Sequence, residues 1–223
     1  MNFDTIKTLI VLAVVVPAAL VIVWALASSS WRKSGVDQPW SSLSKLFHWT
    51  IAGSVMVATL IMYYMINLGD TTVPEIRAEY SRLLKTHKSV GLIVLFLVAF
   101  RFAWNRWRAR PPVADSLTKL QRRVSATMHR VLYGFMLVVP LLGWTASMTY
   151  GGKISFFGLF ELPVWLPKNI EWANVLQPAH VWLAWGMVVF VGVHFAAALW
   201  HHLVRRDATL ERMLPRWRGS NDT

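Results

Sequence analysis

The chain has 223 residues, of which 55% are hydrophobic and 15% charged, and 23 lysines and arginines against 11 acids give it a formal net charge of +12. Those proportions exclude an ordinary soluble domain. The basic residues fall in short runs beside apolar segments, which points to a membrane surface and lipid rather than to nucleic acid. Cysteine is absent, so disulfides and thiolate metal sites are closed to this chain and any metal must rest on histidine or oxygen.

Five apolar segments, near residues 6–28, 43–67, 84–105, 125–149 and 177–203, are each long enough to cross a hydrocarbon layer of roughly 30 Å at about 1.5 Å per residue. The expected fold is an all-α membrane protein. A four-helix transmembrane bundle occupies residues 41–215, an additional N-terminal transmembrane helix with its linker occupies 1–40, and 216–223 form a tail. Ala25-Leu26-Ala27 resembles a signal-peptidase site, but charge topology argues that the first segment is retained. The basic run from Arg101 to Arg123, the tail arginines from Arg205 onward, and Arg32, Lys33 and Lys45 all belong on the cytoplasmic side. The N-terminus is then periplasmic and the C-terminus cytoplasmic. Of the outer connections, 67–82 reads as a mixed-charge loop, and 150–177, rich in Trp, Phe, Gly and Pro, as a loop with short helical turns along the interface.

Histidines interrupt this apolar background. His180 and His194 are 14 residues apart, two heptads, so they share one helix face at depths about 21 Å apart. His87 enters the third segment level with His180, and His48 lies in the second at the inner level of His194. Taken singly, each fits an interhelical hydrogen bond as well as a ligand. Two level pairs suit two b-type haems, because each iron takes axial nitrogens from opposite sides of its macrocycle. Zinc would need four ligands at one point. Gly53, Gly91, Gly134, Gly143, Gly186 and Gly192 would admit a flat macrocycle, and serve close helix packing equally well.

The segments SKLFHWTIA, LLKTHKSVGLIVLFLVAFR, MHRVLYGFMLVVPLLGW and FFGLFELP, with HFAAALWHH and RMLPR, resemble the bacterial cytochrome b561 family over about residues 41–215. The resemblance implies a four-helix di-haem electron carrier of the bacterial inner membrane. It implies His87 with His180 as axial ligands of the outer haem and His48 with His194 as those of the inner haem. Some relatives are similar to superoxide oxidases that pass electrons from periplasmic superoxide to ubiquinone. The alternative is an electron-relay subunit docked to a hydrogenase or dehydrogenase. Residues 1–40 extend beyond the family pattern.

Several residues stay open between roles. His129, at a depth near His48, competes with His194 as an inner ligand or else contacts a haem edge or quinone. His201, seven beyond His194, shares its face near the cytoplasmic surface, where it would bond a quinone or simply reach water, while His202 turns away. Arg101, 14 beyond His87, is placed for an inner-haem propionate, a quinone oxygen or an anchoring role. Arg82, Lys85 and Lys88 form a basic collar around His87 that would neutralise outer-haem propionates or steer a small anion such as superoxide.

Overall fold

The computed structural model describes residues 40–68, 72–107 and 117–214, so the expected N-terminal helix and the 216–223 tail lie outside the described residues. Four helices are each long and apolar enough to cross a membrane: α1 (Ser42–Leu68), α2 (Pro74–Trp107), α3 (Lys119–Thr149) and α4 (Ile170–Trp200), the last continued by a π-helical turn over His201–Arg205. α1 packs along α2, α3 along α4, and α2 against α3. Large apolar side chains such as Phe96, Phe100, Leu141 and Val193 stand exposed on the outside of the bundle, as they must where the surroundings are lipid rather than water.

Three helices begin earlier than their apolar stretches. α2 starts at Pro74, which suits a first helical position, with Glu75 in its first turn opposing the helix dipole. α3 starts behind a capping box in which the Thr118 hydroxyl accepts from Gln121 N–H and the Gln121 side chain accepts from Thr118 N–H. At α4 the Asn169 side chain accepts from Trp172 N–H. Hydropathy reports the length inside oil, whereas caps set the length of the helix. The polar first turns therefore project beyond the apolar layer, and most of the expected 67–82 loop is helix.

The 150–177 connection also differs from expectation. Instead of helical turns it holds a two-stranded antiparallel hairpin, β1 (Ser155–Phe156) with β2 (Phe160–Glu161), Phe156 facing Phe160. Its turn needs two left-handed residues, Phe157 at φ 49° and Gly158 at φ 78°. Buried Ser89 of α2 holds it there, because its hydroxyl accepts from Phe157 N–H at 2.9 Å and shares its one proton between the Lys85 carbonyl of its own helix at 2.9 Å and the Ser155 carbonyl at 3.2 Å.

The apolar core lies at mid-bundle. Ile51 and Val55 of α1, Val94 and Val98 of α2, Leu132, Met136 and Val139 of α3, and Met187 of α4 form one buried cluster. Met187 is seven residues from both His180 and His194, so this cluster separates the two histidine levels. α1 meets α4 through longer side chains, with Trp185 and Val188 against Met56, Tyr63 and Ile66.

At the inner end the chain turns back on itself. Arg206 takes a left-handed conformation (φ 52°) after the π-helical turn, and residues 207–214 return to the start of α1. Lys45 Nζ donates to the Leu214 carbonyl at 2.8 Å, Trp49 Nε1 to Met213 at 2.9 Å, and Trp40 N–H to Arg212 at 3.3 Å.

Candidate functional site

The helices bring the outer histidines together. The rings of His87 (α2) and His180 (α4) have centroids 6.2 Å apart and planes at 84°. His87 Nδ1 lies 3.1 Å from the Ala58 carbonyl of α1, and His180 Nδ1 lies 2.9 Å from the Val139 carbonyl of α3. A carbonyl only accepts, so each Nδ1 carries the proton and each Nε2 keeps its lone pair, the tautomer that ligates a metal. Gly143 makes the His180 position possible, because a Cβ there would come within 2.9 Å of Cε1 and 3.0 Å of Nδ1.

Both imidazoles border a cavity of about 460 Å3, whose other walls include Gly91, Gly143, Trp144 and Lys88. A narrower space of about 70 Å3 continues inward past His87 and His180 to Val55, Val94 and Trp185. The larger volume lies in the range of cofactor sites, about 300–1,000 Å3. A side chain at Gly91 would meet nothing within 4 Å.

Of the basic collar, only Lys88 lines the cavity. Its Nζ donates to Ser147 Oγ at 2.8 Å. Arg82 is exposed and paired with Glu79 one turn before it, so its charge is partly offset. Lys85 is exposed on the same helix.

The inner histidines also meet. His48 (α1) and His194 (α4) have ring centroids 6.3 Å apart and planes at 73°. His129 (α3) stands edge-on to His194 at 5.2 Å, and its Nδ1 lies 2.7 Å from the Ser125 carbonyl. Arg101 Nη1 donates to His48 Nδ1 at 3.1 Å, while Arg101 Nε is buried with no partner among the described residues. The guanidinium also faces the Tyr133 ring at 6.0 Å, and Tyr133 Oη accepts from Asn105 Nδ2 at 3.1 Å.

Do these pairs fit haem iron? Imidazole nitrogen bonds a transition metal at about 2.0–2.1 Å and sits about 1.1 Å from its own ring centre, so two rings gripping one ion from opposite sides have centres about 6.3 Å apart. Both level pairs meet that spacing, and the 5.2 Å contact of His129 with His194 is too short for it. Among the described residues no three His, Asp or Glu side chains form a group that would hold a bare metal ion. Two imidazoles per site leave the remaining positions to a macrocycle. The outer pair also has the ligating tautomer. For His48 to ligate through Nε2, its Nδ1 must carry the proton and Arg101 must turn to another acceptor, and the unbonded Nε of Arg101 is a donor that a carboxylate would satisfy.

Residues 39–216 match the family described as prokaryotic cytochrome b561. The chain belongs to that family. It is 30% identical over 174 residues to cytochrome b561 homolog 2 of Escherichia coli K12, covering 77% of this chain and 89% of the relative. It is 31% identical over 144 residues to cytochrome b561 homolog 1 of the same organism, covering 64% and 81%. A probable superoxide oxidase of Yersinia pestis is 27% identical over 184 residues, 82% of this chain and 100% of the relative. As a member of the cytochrome b561 family the chain is a multi-pass membrane protein of electron transfer, and the family implies binding of haem b.

Three features of these sites escape sequence pattern. The Ala58 and Val139 carbonyls that orient the outer histidines carry no side-chain signal. Ser147, partner of Lys88, is an ordinary membrane-helix serine by composition. The inner end adds a pairing of His201 Nδ1 with Asp207 Oδ2 at 2.6 Å, which the linear chain conceals behind a π-helical turn.

Proposed function

We propose that this cytochrome b561 holds two b-type haems, one between His87 and His180 and one between His48 and His194, and carries electrons from periplasmic superoxide to ubiquinone. The net reaction oxidises two superoxide anions to two dioxygen molecules and reduces one ubiquinone with two protons to ubiquinol. When bound, each haem supplies a one-electron couple whose potential depends on its axial ligands and burial. The observation that carries this reading is the pair of 6.2 and 6.3 Å imidazole spacings on either side of one apolar core.

The chain's own residues have distinct tasks. The Ala58 and Val139 carbonyls hold His87 and His180 in orientation and tautomer. The core around Val94, Val98 and Met187 keeps water out between the sites. Lys88, and Lys85 outside it, supply positive charge where a small anion approaches, and in a low-dielectric cleft such charge raises its local concentration. Arg101 offers donors to a propionate or a quinone oxygen, and His129 contacts the edge of the inner site. Lys119, Arg122, Arg123, Arg205 and Arg206 gather at one end of the bundle, which supports a cytoplasmic C-terminus.

Mixing the purified, haem-loaded chain with superoxide and then with a short-tailed ubiquinone tests this. Rapid haem reduction followed by rapid reoxidation is expected. A second reading, a relay subunit for a membrane-external hydrogenase or dehydrogenase, is favoured by the exposed apolar hairpin region, where Phe157, Leu159, Phe160 and Trp165 all face outward. Haem that is reduced only in a co-purifying complex, and not by superoxide, supports that reading instead.

A further inference from the structure

We propose that His201 and Asp207 form a proton-delivering pair at the inner end of the bundle, with His201 Nε2 handing protons to the reduced quinone and Asp207 positioning it. This rests on the quinone reading above. His201 lies seven residues, two turns, beyond His194 on the same face of α4, about 10.5 Å further toward the inner surface. Its Nδ1–H donates to Asp207 Oδ2 at 2.6 Å, and the two side chains are only 14% and 8% exposed. The second carboxylate oxygen of Asp207 accepts from Thr209 N–H at 2.9 Å.

With Nδ1 committed to the carboxylate, the imidazole has one atom, Nε2, for proton exchange. The carboxylate on the far side of the ring fixes the Nδ1 proton and the ring's orientation, so a proton that joins or leaves the ring does so at Nε2. Burial alone would push the Asp207 carboxyl up, but hydrogen bonds from Thr209 and His201 outweigh it and hold the carboxyl below its ordinary range. The other charged or titratable groups at this end are basic apart from Glu211. Among the described residues they include Lys45 of α1, bound to the Leu214 carbonyl, His202 and Arg205 of the π-helical turn, with Arg205 stacked on Trp200 at 5.7 Å, Arg206 and Arg212, and Lys119, Arg122 and Arg123 at the start of α3.

The pair is also tied to the inner histidines. Trp49 packs edge-on against His48 at 5.2 Å and donates its indole N–H to Met213, on the returning segment that carries Asp207 and Thr209. The segment is therefore fastened beside His48 and brings a partly buried acid–imidazole pair to the side where a quinone must collect protons. Each turnover forms two O–H bonds on the quinone. Two electrons arrive singly from the inner site. For a proton that passes through the pair, the His201 Nε2–H bond breaks as the quinone O–H bond forms, and a hydronium ion from the aqueous side re-forms the Nε2–H bond and leaves as water.

The test separates electron transfer from proton transfer. Haem-loaded wild type and Asp207→Asn are reduced with dithionite, then mixed with ferricyanide, which takes an electron without a proton, or with a short-tailed ubiquinone. Asp207→Asn should react with ferricyanide at the wild-type rate and with quinone about 10²-fold more slowly, the scale of a lost general acid. Asp207→Glu should recover most of the rate. A slow quinone step should show an enlarged solvent deuterium effect. Independently of turnover, the 15N signals of His201 should place the proton on Nδ1 in the wild type and release that preference in Asp207→Asn. Should Asp207→Asn fail to retain haem, His201→Asn carries the same comparison. Equal quinone rates in variant and wild type, or equal slowing with both oxidants, would overturn the proposal. A wild type that ferricyanide oxidises and quinone does not would instead remove the quinone reading, and the pair's role with it.

Discussion

Gly143 and His180 are fitted to one another across the α3–α4 interface: a single methyl group on Gly143 would stand 2.9 Å from His180 Cε1, where no ordinary contact is tolerated. The ring can reach the Val139 carbonyl only because that methyl is missing. By contrast, a Cβ at Gly53 would meet nothing within 4 Å.

Gly143→Val should therefore push His180 off its carbonyl, which removes a hydrogen bond worth about 1 kcal/mol and misaligns Nε2. The expected result is haem content falling by half with the inner spectrum intact. Gly53→Ala should leave haem content unchanged. Absorbance of the pyridine haemochrome per chain measures both.

Arg101 is a half-buried cation beside His48, and a positive charge favours the reduced form of a neighbouring redox centre. Arg101→Gln should lower the inner haem's reduction potential by several tens of millivolts, with roughly 59 mV corresponding to 1.4 kcal/mol for one electron. The outer potential should stay in place. Spectroelectrochemical titration reads the two centres separately.

The histidine levels were legible in the sequence because a helix converts a 14-residue interval into a fixed depth and a shared face. Depth does not specify which way a neighbouring helix is turned, so it leaves open the choice between His194 and His129 as the inner ligand. His194 stands 6.3 Å from His48, the spacing of two rings across a metal, and 5.2 Å from His129, a direct ring contact. The pairing of Arg82 with Glu79 escapes the sequence because Glu79 sits one turn earlier, on a helix whose start hydropathy does not reveal. The hairpin was hidden for a related reason. Its anchor is Ser89, 66 residues from the carbonyl it binds.

Trp49 fastens the returning C-terminal segment through one bond to Met213. Trp49→Phe removes that bond while keeping an aromatic ring against His48, and should loosen the segment by about 0.5–1.5 kcal/mol. Faster tryptic cleavage at Arg212, with haem spectra unchanged, is the expected outcome.

Asp207 gives the same segment a pH dependence. Its folded carboxyl lies below the ordinary value, so its contribution is fully present above about pH 4, the value of an unfolded aspartate, and is lost as pH falls through the lower folded value. The segment should stay docked from pH 8 to about 5 and release in stronger acid. Asp207→Asn should be looser at neutral pH and insensitive to acid over that window. Because the chain lacks cysteine, a spin label on Ala208→Cys reports this mobility without interference.

The account stands on two irons, each held by one level pair of imidazoles. Haem iron counted per chain in the wild type and in His48→Ala, His87→Ala, His129→Ala, His180→Ala and His194→Ala, with low-spin signals resolved by electron paramagnetic resonance, tests it most directly. The prediction is two bis-imidazole haems in the wild type and in His129→Ala. His87→Ala and His180→Ala should lose one common signal, and His48→Ala and His194→Ala the other. A wild type with fewer than two haems, or an inner signal that vanishes with His129 and survives without His48, would contradict it.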